Sequence, residues 1–183
     1  MKRILFVVGS RRVKSFNRQL AQRAEELLKG KAEVAYLDYD SLPCLNQDAE
    51  FPAPAEVERV RAEVARADAL WVFTPEYNFS YPGHVKNLFD WLSRPVKPMD
   101  YATPTCINGK LVALSGAGGK AATAQCRQKL AELLTFIKAD VLGTQTGVAL
   151  QPECWTTDEL RLTDADLAQL RDEAEALLKA LTL

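Results

Sequence analysis

Apolar positions along the chain alternate between two spacings. Arg3–Val8 is a short apolar run closed by Gly9, too short for a helix, and it predicts a buried first strand. Asn17–Leu28 then places Leu20, Ala21, Ala24, Leu27 and Leu28 on one helical stripe with charges opposite, and Gly30 follows as a stop. Glu33–Leu37 alternates as a second strand, whereas Ser41–Pro54 is rich in turn formers and predicts loop. Ala55–Ala67 repeats Val57, Val60, Ala62 and Val64 among charges, the pattern of a sheet-facing helix. Asp68–Thr74 carries Ala69-Leu70-Trp71-Val72-Phe73, a third strand apolar on both faces.

Pro82 suits the first turn of a helix, where its missing N–H costs nothing, and that helix runs to about Leu92 and stops before Pro95. Lys110–Leu114 predicts a fourth strand, and a helix follows from about Ala121 to Ile137. Val141–Leu142 and Gln145–Val148 predict a last, split strand. Thr163–Leu181 closes the chain as a helix, with Thr163 as N-cap and Asp166 three residues on, a variant of the capping box.

Strict alternation of strands and helices predicts an α/β domain with a doubly wound five-stranded parallel sheet and helices on both faces. General rules for such sheets give the order 2-1-3-4-5, one domain over residues 1–183, and all strand carboxyl ends on one edge. Ligands of such sheets bind where the order reverses, here between strands 1 and 3.

Composition narrows the partners. The 183 residues carry 23 basic and 24 acidic side chains, a net charge of −1, which leaves no footprint for nucleic acid and no polybasic membrane patch. The apolar run Ile4–Val8 is far too short for a signal core or a membrane span, so a soluble, cytoplasmic protein is expected. Cys44, Cys106, Cys126 and Cys154 are scattered without a C-x-x-C pair, and His84 is the one histidine, so no metal site is expected. No G-x-S-x-G elbow accompanies that histidine, which is placed on an exposed helix turn.

Three strand-end loops carry the candidate chemistry. The first, Gly9–Asn17, joins strand 1 to a helix N-terminus, where free N–H groups and the helix dipole favour an anion. Ser10, Ser15 and Asn17 add neutral donors and Arg11, Arg12 and Lys14 add charge, a set suited to phosphate; plain helix capping by Ser15 is the simpler alternative. Neither Walker A nor G-x-G-x-x-G is present, which disfavours Rossmann-type dinucleotide binding. The second loop, Thr74–Gly83, holds Tyr77, Phe79 and Tyr81, which fit either the flank of a flat aromatic ligand or packing within the loop or at a subunit contact. The third, Ser115–Gly119, has little side-chain bulk, which fits close backbone approach to a ligand or a tight turn.

Two of these loops resemble long motifs of the NADPH-dependent FMN reductase family, which includes bacterial chromate, quinone and azo-dye reductases. Gly9, Ser10, Arg12, Ser15 and Asn17 match its G-S-x-R-x-x-S-x-N phosphate loop. Thr74-Pro75-Glu76-Tyr77-Asn78, Ser80, Pro82-Gly83, Lys86-Asn87, Asp90-Trp91 and Ser93-Arg94 match its T-P-E-Y-N segment and the helix behind it. The likeness fades after about Gly143.

The resemblance implies a flavodoxin-like fold with noncovalent FMN. Ser10, Arg12, Ser15, Phe16 and Asn17 would surround the phosphate. Pro75, Glu76, Tyr77 and Asn78 would line the isoalloxazine, and Ser115 and Gly116 would approach its other side. The third loop is compressed relative to the family pattern. The implied activity is ping-pong hydride transfer from NADPH or NADH to a small-molecule electron acceptor: a quinone, azo compound, chromate or free flavin. No catalytic acid or base is expected, and a homodimer or homotetramer is. The rival readings are a flavodoxin-type electron carrier, which would want a hydroxyl-rich T-G-x-T loop and an acidic surface, and a flavin-free interaction module.

Overall fold

Hydrophobic periodicity becomes a three-layer arrangement in a computed structural model that describes residues 1–182. The strands are β1 (Arg3–Val8), β2 (Glu33–Tyr36), β3 (Ala69–Phe73), β4 (Leu111–Gly118), β5 (Asp140–Val141) and β6 (Thr146–Ala149). The helices are α1 (Phe16–Leu28), α2 (Ala55–Arg66), α3 (Gly83–Ser93), α4 (Ala124–Phe136), α5 (Pro152–Thr157) and α6 (Asp164–Ala180). The strands pair in parallel in the order β2-β1-β3-β4-β5, as the alternation predicts, with β6 also on β4.

Side-chain alternation on the strands divides the core in two. Ile4, Phe6 and Val8 of β1 and Ala69, Trp71 and Phe73 of β3 pack with Leu20, Ala24 and Leu28 of α1 and Leu170 and Leu177 of α6. Leu5, Val7, Leu70 and Val72 point the other way, onto Val57, Val60 and Val64 of α2, Leu88 and Leu92 of α3, and Leu130 and Leu134 of α4. Each buried Val, Leu, Ile or Phe among them contributes about 1.5–3 kcal/mol of transfer free energy. The predicted capping box at α6 is present, with Thr163 accepting from Asp166 N and Asp166 accepting from Thr163 N.

Two expectations are corrected, and a third is refined. β4 does not stop at Leu114 but runs to Gly118, because β6 supplies partners for Ser115, Gly116, Ala117 and Gly118 and the ladder overrides the low strand preference of glycine. The split last strand is real, and its halves serve different halves of β4: β5 pairs Leu111 and Val112, β6 pairs Ser115 to Gly118. α4 begins at Ala124 rather than Ala121, since Ala122 and Thr123 adopt left-handed conformations (φ 47 and 58) that end the turn before it. The short helix α5, with Pro152 in its first turn, carries no periodicity long enough to predict it.

Among the described residues no helix is long and apolar enough to cross a membrane, and no group of three or more His, Cys, Asp or Glu is placed to hold a metal ion.

Candidate active site

Three loops meet at the carboxyl ends of β1, β3 and β4, at the point where the strand order reverses. Hydrogen bonds beneath the surface tie them together. Gly9 N donates to Phe73 O at 2.7 Å and Thr74 N to Ser115 O at 2.9 Å. Asn17 joins the first turn of α1 to β4, with Nδ2 donating to Ala117 O at 3.0 Å and Oδ1 accepting from Ala117 N at 2.9 Å. Glu76 accepts from Cys126 N at 2.9 Å, which caps the start of α4 from the β3 loop.

The β1 loop gathers groups that can receive an anion. Ser15 caps α1 by accepting from Arg18 N, which leaves the N–H groups of Phe16 and Asn17 without intrahelical acceptors. Ser10 and Ser15 are buried beside them, while Arg11, Arg12 and Lys14 are exposed. The Arg12 guanidinium lies 5.0 Å from the Phe16 ring centroid and pairs with Asp158. This donor set fits a phosphate monoester: backbone N–H groups at a helix N-terminus, hydroxyls and a forked cation within one loop.

The β3 loop carries a two-residue reversal. Tyr77 and Ser80 exchange backbone hydrogen bonds, and Asn78 and Phe79 between them have φ 51 and 59, the geometry of a type I′ turn. Asparagine favours that conformation; phenylalanine does not, so Phe79 is held there at a conformational cost. The turn leaves the Tyr77 and Phe79 rings exposed, at 54% and 67%. Pro75 is buried, and its carbonyl accepts from Thr74 Oγ1 at 3.0 Å.

The β4 side departs from expectation at two residues. Ser115 is fully buried and points away from the crevice: its hydroxyl donates to Glu173 Oε2 at 2.7 Å and accepts from Trp71 Nε1 at 2.9 Å. Gly116 lies inside the sheet, where a Cβ would stand 2.2 Å from Thr123 Oγ1 and 2.5 Å from Thr74 O. Both residues lie in the strand rather than in a loop, because β6 draws them into the ladder. The loop after β4 is Gly119–Thr123, and a Cβ at Gly119 would meet nothing within 4 Å. The Asn17 side-chain amide is spent on Ala117, so what Asn17 can offer an anion is its backbone N–H.

Motif residues behind the β3 loop have structural partners. Asn87 Oδ1 accepts from Leu45 N, Asn87 Nδ2 and Trp91 Nε1 both donate to Pro43 O, and Arg94 makes a two-pronged pair with the buried Glu50. Together they pin the long segment between β2 and α2. His84 is not on an exposed turn: it is half-buried and stacks on Tyr39, with centroids 5.6 Å apart, and burial lowers its pKa. Burial pushes the Cys126 thiol up to about 11, so it stays protonated at neutral pH.

Two residues that pattern reading missed bear on the site. Asp158 reaches Arg12 and Lys14 from beyond α5, and no local signal links positions this far apart in sequence. Glu173 of α6 is fully buried under β4 and β6, and burial raises its carboxyl to about 7. An acidic residue among the alternating charges of α6 gives no sign of its burial.

Residues 2–152 match the family model for NADPH-dependent FMN reductase. The chain is 31% identical to an NAD(P)H-dependent FMN reductase of Pseudomonas aeruginosa over 97% of its own length and 89% of the relative's. It is 37% identical to a quinone reductase of Pseudomonas putida over 69% of its length and 68% of that protein's. Its fold is similar to the flavoenzyme NAD(P)H:(acceptor) oxidoreductase FerB of Paracoccus denitrificans, with a TM-score of 0.85, 27% identity, and coverage of 100% of this chain and 98% of that one.

Proposed function

The chain belongs to the NADPH-dependent FMN reductase family, and from that premise we propose that its three strand-end loops hold FMN and that it carries electrons from NADPH or NADH to a quinone or a similar flat acceptor such as an azo compound, chromate or flavin. It is an oxidoreductase on a flavodoxin-like fold. The observation that carries the site assignment is the anion seat at α1, joined by buried hydrogen bonds to the two loops where the ring would lie.

Bound FMN supplies a ring that accepts a hydride from a nicotinamide and returns electrons to an acceptor. The chain's residues bind and orient. Ser10, Arg12, Ser15 and the N–H groups of Phe16 and Asn17 hold the phosphate. Pro75, Glu76, Tyr77 and Asn78 would line the ring, with the end of β4 at Ser115 and Gly116 and the Gly119–Thr123 loop after it on the other side. No side chain acts as acid or base, since hydride transfer needs none and water protonates the product. Donor and acceptor would bind in turn, the ping-pong order.

The whole chain acts as one FMN-binding domain. The exposed Tyr77, Phe79, Tyr101 and Phe136 supply apolar surface for a homodimer or homotetramer. A nicotinamide donor is an intracellular metabolite, which supports a cytoplasmic location.

The visible spectrum of the purified protein tests this reading, before and after anaerobic addition of NADPH or NADH, then of a quinone. Bleaching of a flavin band by either nucleotide and its return with quinone are expected. A protein that takes up no FMN would overturn the site assignment, and one that bleaches only with dithionite would overturn the donor assignment.

A further inference from the structure

The segment after α5 lies beyond the residues that match the family, 2–152, yet it places a carboxylate on the anion seat. Asp158 Oδ1 pairs with Arg12, and Oδ2 stands 3.6 Å from Lys14 Nζ. The position is fixed. Asp158 is left-handed (φ 61), ends α5, and donates its N–H to Cys154 O at 2.9 Å. Gln19 of α1 grips the same segment on both sides, donating to Asp158 O at 2.9 Å and accepting from Leu160 N at 2.8 Å. Trp155 packs edge-on against Phe16, centroids 5.3 Å apart, and Cys154 is buried in the core.

This arrangement has an electrostatic consequence. A phosphate monoester carries close to two negative charges at neutral pH. Arg12 and Lys14 would offer it two positive charges, but a fixed carboxylate already shares them, so the three groups sum to one. We propose that Asp158 is an affinity-determining residue for the phosphorylated flavin: a counter-anion that competes with the flavin phosphate for Arg12 and Lys14 and keeps the cofactor exchangeable. This rests on the assignment of the seat to the FMN phosphate. The competition acts on the phosphate alone, so a flavin without one does not feel it.

The test uses the full chain loaded with FMN or with riboflavin, which has no phosphate. Dilution and recovery of free-flavin fluorescence give Kd for each. Asp158→Asn removes the charge, keeps an acceptor for Arg12, and places a residue that tolerates the left-handed backbone. Asp158→Asn is expected to tighten FMN by about fivefold, the size of one like charge near a dianion at a solvated surface. Riboflavin should be unchanged, and the FMN gain should shrink in high salt. Equal or weaker FMN binding by the variant would overturn the proposal, as would FMN and riboflavin shifting in step. Asp158→Ala separates charge from positioning: if it weakens FMN while Asp158→Asn does not tighten it, the carboxylate only orients Arg12 and the proposal falls. A wild-type chain that binds FMN no better than riboflavin would overturn the phosphate seat itself.

Discussion

Asn17 and Ala117, one hundred positions apart, exchange two hydrogen bonds as if they were neighbours in a sheet: 3.0 Å from Nδ2 to O and 2.9 Å from N to Oδ1. The pair fixes where the anion seat stands relative to β4. Both residues are buried, so removing the amide strands an N–H and a C=O away from water. Asn17→Ala is expected to destabilise the protein by about 2–3 kcal/mol in urea unfolding and to weaken FMN as well. A fully stable variant with normal flavin content would show the pair to be dispensable.

Arg12 is the forked cation of the seat, and its side chain is 43% exposed. Arg12→Ala should therefore leave the melting temperature nearly unchanged and weaken FMN by about 1.5–3 kcal/mol, the range for a hydrogen bond to a charged group. Riboflavin binding should hardly move. Arg12→Lys should recover only part of the loss, since an ammonium lacks the fork. Paired Kd measurements for the two flavins check this, and an equal loss for both would remove Arg12 from the phosphate.

Gly116 and Thr123 are in contact to a degree that no side chain at 116 can share. A Cβ there meets Thr123 Oγ1 at 2.2 Å and the Thr74 backbone carbonyl at 2.5 Å. The carbonyl cannot turn aside, so Gly116→Ala should push the β3 and β4 loops apart and cost about 1–3 kcal/mol. Thr123→Ala removes the other obstacle only, so the double variant should remain well below wild type. Thermal unfolding together with flavin content measures both effects.

Glu173 gives a pH signature. Its carboxyl accepts from the Ser115 hydroxyl and faces Thr146, Arg127 and the Leu114 backbone. Burial raises its pKa from the ordinary 4.5 to about 7. A raised carboxyl keeps its proton in the folded state while the unfolded chain has already lost it. Its contribution is thus complete below about 4.5 and is lost as pH rises to about 7, at most roughly 3 kcal/mol. Glu173→Gln should abolish this component and gain on wild type above pH 7. Urea midpoints of the two proteins from pH 5 to 8 test it, and parallel curves would mean that Glu173 titrates normally.

The alternation of spacings was enough to order the elements. β1 and β3 carry side chains for both layers of core, and that demand is written into five or six consecutive residues, so their bounds agree with the fold almost residue for residue. The Ser15 cap and the Thr163–Asp166 box are equally local, because donor and acceptor lie within one turn. The loop motifs at Gly9–Asn17 and Thr74–Gly83 identified the family for the same reason: an anion seat and a tight turn are built from contiguous backbone.

What tertiary structure alone decided lies where distant segments meet. Ser115-Gly116-Ala117-Gly118 has the local preferences of a loop, and only the arrival of β6 makes it strand and turns Ser115 inward to Glu173. Asn17 has the composition of a ligand residue, and only the approach of β4 commits its amide to Ala117. Asp158 meets Arg12 because α5 docks Cys154 into the core and Gln19 grips the chain beyond it. Hydrogen bonds and ion pairs act over a few ångströms of space, and a linear pattern reports that distance only when the partners are also close in sequence.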